Sequence, residues 1–297
     1  MRIRAHLSVL ARNVGGILVP GSTGEGWEMN DADIRVLLGI VVDAAAKSGV
    51  HVLIGVLKAS AVEMLACIDA MAELRVHPAV AGFTICPPTG AALTQTEIAD
   101  ALRQVLARGW PTALYQLPQV TQNEMSAETV AALAAEFPNF ILFKDTSGAD
   151  RVVQSRSEFG GVFMMRGAEA GGYARWPRAA GGPYDGFLLS TANVFAGELA
   201  EILRLLDAGD VEKAHALSAE LAEVVRAAFA IVASFPHGNA FANANKALDH
   251  CMAYGEDATL FEPPLLCGGA RLPANFIERA LELLCAHALL PARGYLA

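Results

Sequence analysis

Lys144 closes the run Phe140-Ile141-Leu142-Phe143-Lys144-Asp145-Thr146-Ser147-Gly148, in which four bulky apolar residues deliver one ammonium to the end of a strand-like segment. The chain has five lysines, and only Lys58 follows a comparable apolar run. Burial penalises the charged form, so an amine held in such a place tends to lose its proton. A neutral lysine amine is a nucleophile towards carbonyl carbon and forms Schiff bases. From its own segment, Lys144 is also open to a plainer account, a strand-end lysine snorkelling to solvent.

Two other segments bear on that choice. Tyr115-Gln116-Leu117-Pro118 ends an apolar run at 112–117. A tyrosine there can relay protons in a dry pocket, or can pack as a ring with a tethered hydroxyl. Gly21-Ser22-Thr23-Gly24-Glu25 follows the first apolar run and precedes a helical pattern. Its two hydroxyls and its backbone N–H groups suit a carboxylate, or simply cap the helix. In a closed parallel barrel, Tyr115 and Lys144 would end neighbouring strands and meet over the mouth.

The elements that position these residues follow a repeating pattern. Short apolar runs lie at 16–20, 51–56, 82–86, 112–117, 140–143, 162–165 and 186–189. Helical patterns lie between them, at 31–47, 61–74, 95–108, 127–136, 151–158 and 169–179. This is βα repetition with a parallel sheet, and the lack of alternation means that both sheet faces are covered. The glycine-rich turn at 21–26 is neither a dinucleotide fingerprint nor a phosphate loop. The expected fold is a (β/α)8 TIM barrel with its site at the C-terminal ends of the strands. Residues 2–13 read as a helix, so the barrel lacks its first strand. The expected cause is a start placed downstream of the true one, and the expected result is a gap between 16–20 and 186–189, left open or bridged. Helical patterns at 197–206, 211–231, 240–253 and 274–286 give a barrel at 1–206 and a C-terminal helical region at 207–297.

Composition excludes several classes. Hydrophobic residues are 54% and charged residues 18%, which predicts a large buried core. The net charge is −9 and no basic block occurs, so nucleic acid is not an expected partner. Cysteines 67, 86, 251, 267 and 285 are scattered without metal-type spacing, which fits a reduced, cytoplasmic setting and no metal. No apolar stretch approaches the ~20 residues of a membrane span.

In order and spacing, Gly21-Ser22-Thr23-Gly24-Glu25, Tyr115-x-x-Pro118 and Lys144-Asp145-x-x-Gly148 resemble the motifs of the dihydrodipicolinate synthase / N-acetylneuraminate lyase family. The resemblance covers nearly the whole chain apart from the first strand. It implies a class I, pyruvate-dependent aldolase fold, usually tetrameric, that needs no cofactor. It implies that Lys144 is the Schiff-base lysine and Tyr115 the proton relay, with Thr23 passing a proton to Tyr115. Ser22, Thr23 and Gly24 would hold the keto-acid carboxylate, and the Leu188 carbonyl would face the bound keto acid.

Departures from the family pattern narrow the substrate. Synthase members usually carry an arginine where this chain has Val120, and losing that guanidinium removes a charge-assisted contact worth ~1.5–3 kcal/mol. The segment Cys86-Pro87-Pro88-Thr89-Gly90 lacks the aromatic pair that lends a relay tyrosine to a neighbouring subunit. Thr146, Glu169 and Ser190 fall where the sialic acid lyase branch places hydroxyl-binding groups, although each can equally serve a turn or a helix start. The expected activity is a Schiff-base-forming lyase acting on pyruvate or a 2-keto-3-deoxy acid, in a homo-oligomer (dimer or tetramer). Alternatives kept open are 4-hydroxy-tetrahydrodipicolinate synthase, a keto-deoxy acid dehydratase, and a catalytically weak 2-keto acid binding protein.

Overall fold

A computed structural model describes residues 2–169 and 171–297. Seven strands form one parallel sheet in sequence order: β1 (Gly16–Val19), β2 (His51–Val56), β3 (Val80–Ile85), β4 (Thr112–Gln116), β5 (Phe140–Asp145), β6 (Phe163–Arg166) and β7 (Gly186–Phe187). Among the described residues, β1 and β7 pair on one side only. The expected gap is therefore present and open, and the sheet is a curled seven-stranded barrel rather than a closed one.

Helices α1 (Arg2–Leu10), α2 (Asp31–Ser48), α3 (Ala61–Ala70) and α4 (Gln95–Leu106) cover the outer face of the sheet, the short α5 (Pro118–Thr121) follows β4 directly, and α6 (Ala127–Glu136) resumes the outer layer. Their starts are written in the sequence. Asn30, Ser60, Thr94 and Ser126 each accept a backbone N–H from the first turn, and Thr94 with Glu97 completes a capping box. Ile34, Leu38, Val41 and Met64 bury against Val52, Ile54 and Val56 of β2 in one core. A side chain of this kind contributes about 1.5–3 kcal/mol when fully buried. Between them, β strands and caps aim every βα turn at the same end of the sheet.

The chain after β7 is helical: α7 (Ala192–Asp207), α8 (Val211–Val232), α9 (Ala240–Tyr254) and α10 (Ala274–Ala286). These helices share a second core of Leu199, Ile202, Leu221, Val224, Leu248, Ile277 and Leu284. Helix α1 lies over the open edge. It packs on α2, and its His6 Nε2 lies 2.8 Å from the Asn193 carbonyl in α7. The helical layer is thus continuous where the sheet is not.

Two expected helices are absent. Residues 151–158 form turns and bends, and 169–177 form an irregular loop, of which residue 170 lies outside the described residues, followed by a 3-10 turn at Arg178–Ala180. The physical causes differ. Asp150, at φ 54, turns inward to accept from Tyr184 and Arg166, so the following residues serve a buried side chain instead of a helix. Gly171 and Gly172 adopt φ 75 and 67, which a right-handed helix cannot contain.

Candidate active site

Lys144 is the fifth residue of β5, and its register partners are Tyr115 on β4 and Met165 on β6. Strand side chains alternate, so Tyr115, Lys144 and Met165 share one face, and Gln116, Asp145 and Arg166 share the other. The pairing brings the Lys144 Nζ to 4.1 Å from the centre of the Tyr115 ring. Both residues are buried. Burial is the largest influence on Lys144 and lowers its pKa to about 8, against weaker opposition from Glu169 and Cys86. At neutral pH roughly a tenth of such an amine is unprotonated, against about three in ten thousand for an ordinary lysine. Burial also raises the Tyr115 phenol, Cys86 adds to the rise, and the Thr146 hydroxyl opposes it. Tyr115 thus stays protonated, and able to donate, beside an amine that is ready to lose its proton.

The opposite face braces this pair. Arg166 is buried and meets Asp150 through Nε at 3.2 Å, while its Nη1 donates to the Ala168 carbonyl at 2.8 Å. Trp176 stacks over the guanidinium at 4.3 Å. The Gly167 N–H donates to the Asp145 carbonyl at 2.7 Å. Together these contacts press the Gly167 backbone against Lys144. A Cβ at Gly167 would lie 2.6 Å from Lys144 Cε and 2.5 Å from Thr146 Cγ2. A larger residue there would have to displace both side chains, and sequence reasoning missed this glycine. Its only signal is a single glycine one residue past an apolar strand.

Thr146 continues β5, and its Oγ1 donates to the Gln116 carbonyl at 2.5 Å. Glu169 lies beyond β6, and both of its oxygens accept hydrogen bonds. Oε1 accepts from Ser190 Oγ at 2.7 Å and from the Thr191 N–H at 3.0 Å, and Oε2 accepts from Thr191 Oγ1 at 2.7 Å. Glu169 is therefore not the solvated charge of a helix start. Thr191 had no sequence signal, because its contact with Glu169 spans 22 positions. The Leu188 N–H donates to the Arg166 carbonyl at 2.9 Å. That bond seats Leu188, just past β7, beside the end of β6.

Ser22, Thr23 and Gly24 form a 3-10 turn after β1, in which Gly24 and Glu25 donate back to Gly21 and Ser22 at 3.1 Å each. The amides of Ser22 and Thr23 stand at the start of that turn, where no turn partner exists for them. Residues on both sides of the turn pack near Tyr115. Tyr115 clusters with Leu57, Cys86 and Leu117, and Leu18, Trp27 and Val120 pack against that cluster. Val120 is thus a packing residue beside the tyrosine. Two surface depressions lie elsewhere: one at Phe137, Phe140, Val162 and Phe163, lined by no titratable side chain, the other beside Gln95, Ser126 and Arg151. Neither contains the chemistry that Lys144 and Tyr115 offer. Among the described residues no group of three or more His, Cys, Asp or Glu is placed to hold a metal ion.

The model of the dihydrodipicolinate synthetase family matches residues 6–244. The 4-hydroxy-tetrahydrodipicolinate synthase of Methanopyrus kandleri is 28% identical over 233 residues, covering 76% of this chain and 74% of that protein. Among solved structures, a dihydrodipicolinate synthase from Cyanidioschyzon merolae with lysine bound superposes with a TM-score of 0.77 at 21% identity, covering 97% of this chain and 91% of that one. YagE, a prophage protein of E. coli K12 in complex with pyruvate, gives 0.73 at 18%, covering 96% and 93%. The seven-stranded sheet, its C-terminal helices and the extent of the family match lead to one assignment: this chain belongs to the dihydrodipicolinate synthetase family.

Proposed function

We propose that this protein is a class I lyase that cleaves a 2-keto-3-deoxy acid, such as a keto-deoxy sugar acid, to pyruvate and an aldehyde through a Schiff base on Lys144. The observation that carries the reading is Lys144 itself, buried, lowered to about 8, and in register with Tyr115. The neutral amine attacks C2 of the keto acid, and loss of water leaves an iminium. Ser22, Thr23 and the amides of their turn, with Gly24, hold the C1 carboxylate. Tyr115 gives its own phenolic proton to Thr23 as it takes the proton from the C4 hydroxyl, and Thr23 returns one to Tyr115 when the relay resets. The C3–C4 bond breaks, its electron pair moves to the iminium as an enamine, and the aldehyde leaves. Protonation at C3 and hydrolysis release pyruvate and restore Lys144. The Leu188 carbonyl faces the bound keto acid.

Thr146, Glu169 and Ser190 serve the hydroxyl-bearing remainder of the substrate. Val120 favours cleavage over condensation with an amino-acid semialdehyde. It is an apolar packing residue, and a second carboxylate would find no guanidinium there. The relative from M. kandleri bears the name of a synthase, so that activity is the comparison to run. Coupled assay of pyruvate release across a panel of keto-deoxy sugar acids, beside consumption of pyruvate with aspartate semialdehyde, separates the two. Turnover of at least one sugar acid, faster than the condensation, is the expected result. Condensation as the faster reaction would overturn the assignment.

The same reading has the enzyme act without a cofactor, in the cytoplasm, as a homo-oligomer. No helix among the described residues is long and apolar enough to cross a membrane. Light scattering at micromolar concentration would give a dimer or tetramer, and a monomer at every concentration would refute the oligomer.

A further inference from the structure

The two halves of the candidate site hang on the two edges of the sheet, which no strand joins among the described residues. Ser22 and Thr23 follow β1, and the Glu169–Ser190–Thr191 cluster lies at the end of β7. Strand pairing cannot fix the distance between them. One helix touches both. Lys246 in α9 pairs with Glu25, and also donates to the Leu265 carbonyl at 2.7 Å. Glu25 is buried, and its other oxygen accepts the Cys267 N–H at 2.9 Å. Its φ of 61 is a left-handed conformation, which a residue with a side chain holds only when its surroundings over-determine it.

The preceding residue serves the other edge. Asn245 Nδ2 donates to Ser190 Oγ at 3.0 Å and to the Phe241 carbonyl at 2.8 Å. A carbonyl can only accept, so the amide nitrogen must face this way. It occupies a lone pair of Ser190, and the Ser190 proton is then directed to Glu169. One turn on, Asp249 accepts from Arg2 at 2.6 Å and from the Tyr295 hydroxyl at 2.8 Å, which ties α1 to the same helix.

We propose that α9 is a clasp across the open edge of the sheet, with Lys246 positioning the turn that holds the keto-acid carboxylate and Asn245 positioning the Ser190–Glu169 pair that recognises the rest of the substrate. The inference rests on Lys144 being the nucleophile towards a keto acid. It goes beyond that reading in giving the C-terminal region a separate hold on each half of the site. A displaced turn weakens every keto acid alike, whereas a released Ser190 weakens only those with a hydroxylated tail.

The test uses the full chain, with pyruvate and 2-keto-3-deoxygluconate as probes. Borohydride traps the imine, and the mass of the Lys144 peptide gives the half-saturating concentration of each probe. E25Q/K246M removes both charges together, so no buried ion is left alone. It is expected to raise the half-saturating pyruvate concentration about tenfold, the loss of one charge-assisted contact. N245L is expected to raise the sugar-acid value about fivefold more than the pyruvate value, in keeping with one neutral hydrogen bond. K246R keeps the charge but changes the reach, and shifts both probes together by about two- to threefold, a fraction of that contact. This variant carries the test if the neutral pair does not fold. Unchanged values in the Lys246 variants, or equal shifts of the two probes in N245L, would overturn the clasp. Absence of any adduct in the unmodified protein would instead overturn the Schiff-base reading.

Discussion

Lys58 and Lys144 both follow apolar strands at the same end of one sheet, and the molecule treats them in opposite ways. Lys58, after β2, reaches Asp31 at 2.8 Å at the start of α2, and that hydrogen bond is the largest cause of its raised pKa. Lys144, within β5, meets a phenol ring and the bare backbone of Gly167, and burial lowers it to about 8. Sequence context alone makes the two alike. What separates them is the partner each strand end provides: a carboxylate at a helix start in direct contact for one, and for the other an aromatic face, with Glu169 acting only as a weaker, opposing influence. What surrounds a strand-end lysine decides whether its amine is held charged or pushed towards the neutral form.

Removing each lysine in turn should separate the two most clearly. K144A should lose the imine entirely and reduce turnover by on the order of 10⁴-fold or more, as for other covalent nucleophiles. Next in size is Y115F, expected to lower turnover about 10²–10⁴-fold while the pyruvate adduct still forms, because the lost group moves a proton and does not bond to carbon. Loss of the adduct as well would give Tyr115 a structural part only. G167A sharpens the account of the lysine's surroundings. Its methyl group must displace Lys144 Cε or Thr146, which costs about 1–3 kcal/mol in a packed site and should appear in both melting temperature and imine yield.

A smaller effect has the opposite sign. Folding lowers the Lys144 pKa, so between about 8 and the unfolded value the unfolded chain binds more protons, and stability rises with pH. Below that window the buried charge destabilises the fold in full, and above it the cost is gone. K144M should therefore be inactive yet more stable at neutral pH, by on the order of 2–3 kcal/mol, with the gain fading through that window. Equal stability of the two proteins at every pH would contradict the lowered pKa. The smallest change belongs to Lys58: K58M should leave adduct yield and turnover within about twofold, as expected for a surface ion pair.

Much of this was readable before any coordinates. Lys144, Tyr115 and the Ser22–Thr23 turn each stand just past an apolar run, and the runs recur with helical patterns between them, so order alone placed them at one end of a parallel sheet. The open edge was readable too, because a helix stands where a first strand should. The helices expected at 151–158 and 169–179 failed because periodicity does not register a side chain that turns inward, as Asp150 does, or paired glycines at positive φ. Gly167, Thr191 and Asn245 left almost no mark. Their importance lies in contacts across 22 to 55 positions, or in the space that a missing Cβ leaves.

The most direct test is borohydride trapping with pyruvate, mapped to the modified lysine and repeated between about pH 6 and 10. One adduct is expected, on Lys144, whose rate of formation rises with pH to a midpoint near 8 as the amine loses its proton, with Lys58 unmodified. No adduct, or an adduct on Lys58, would contradict it.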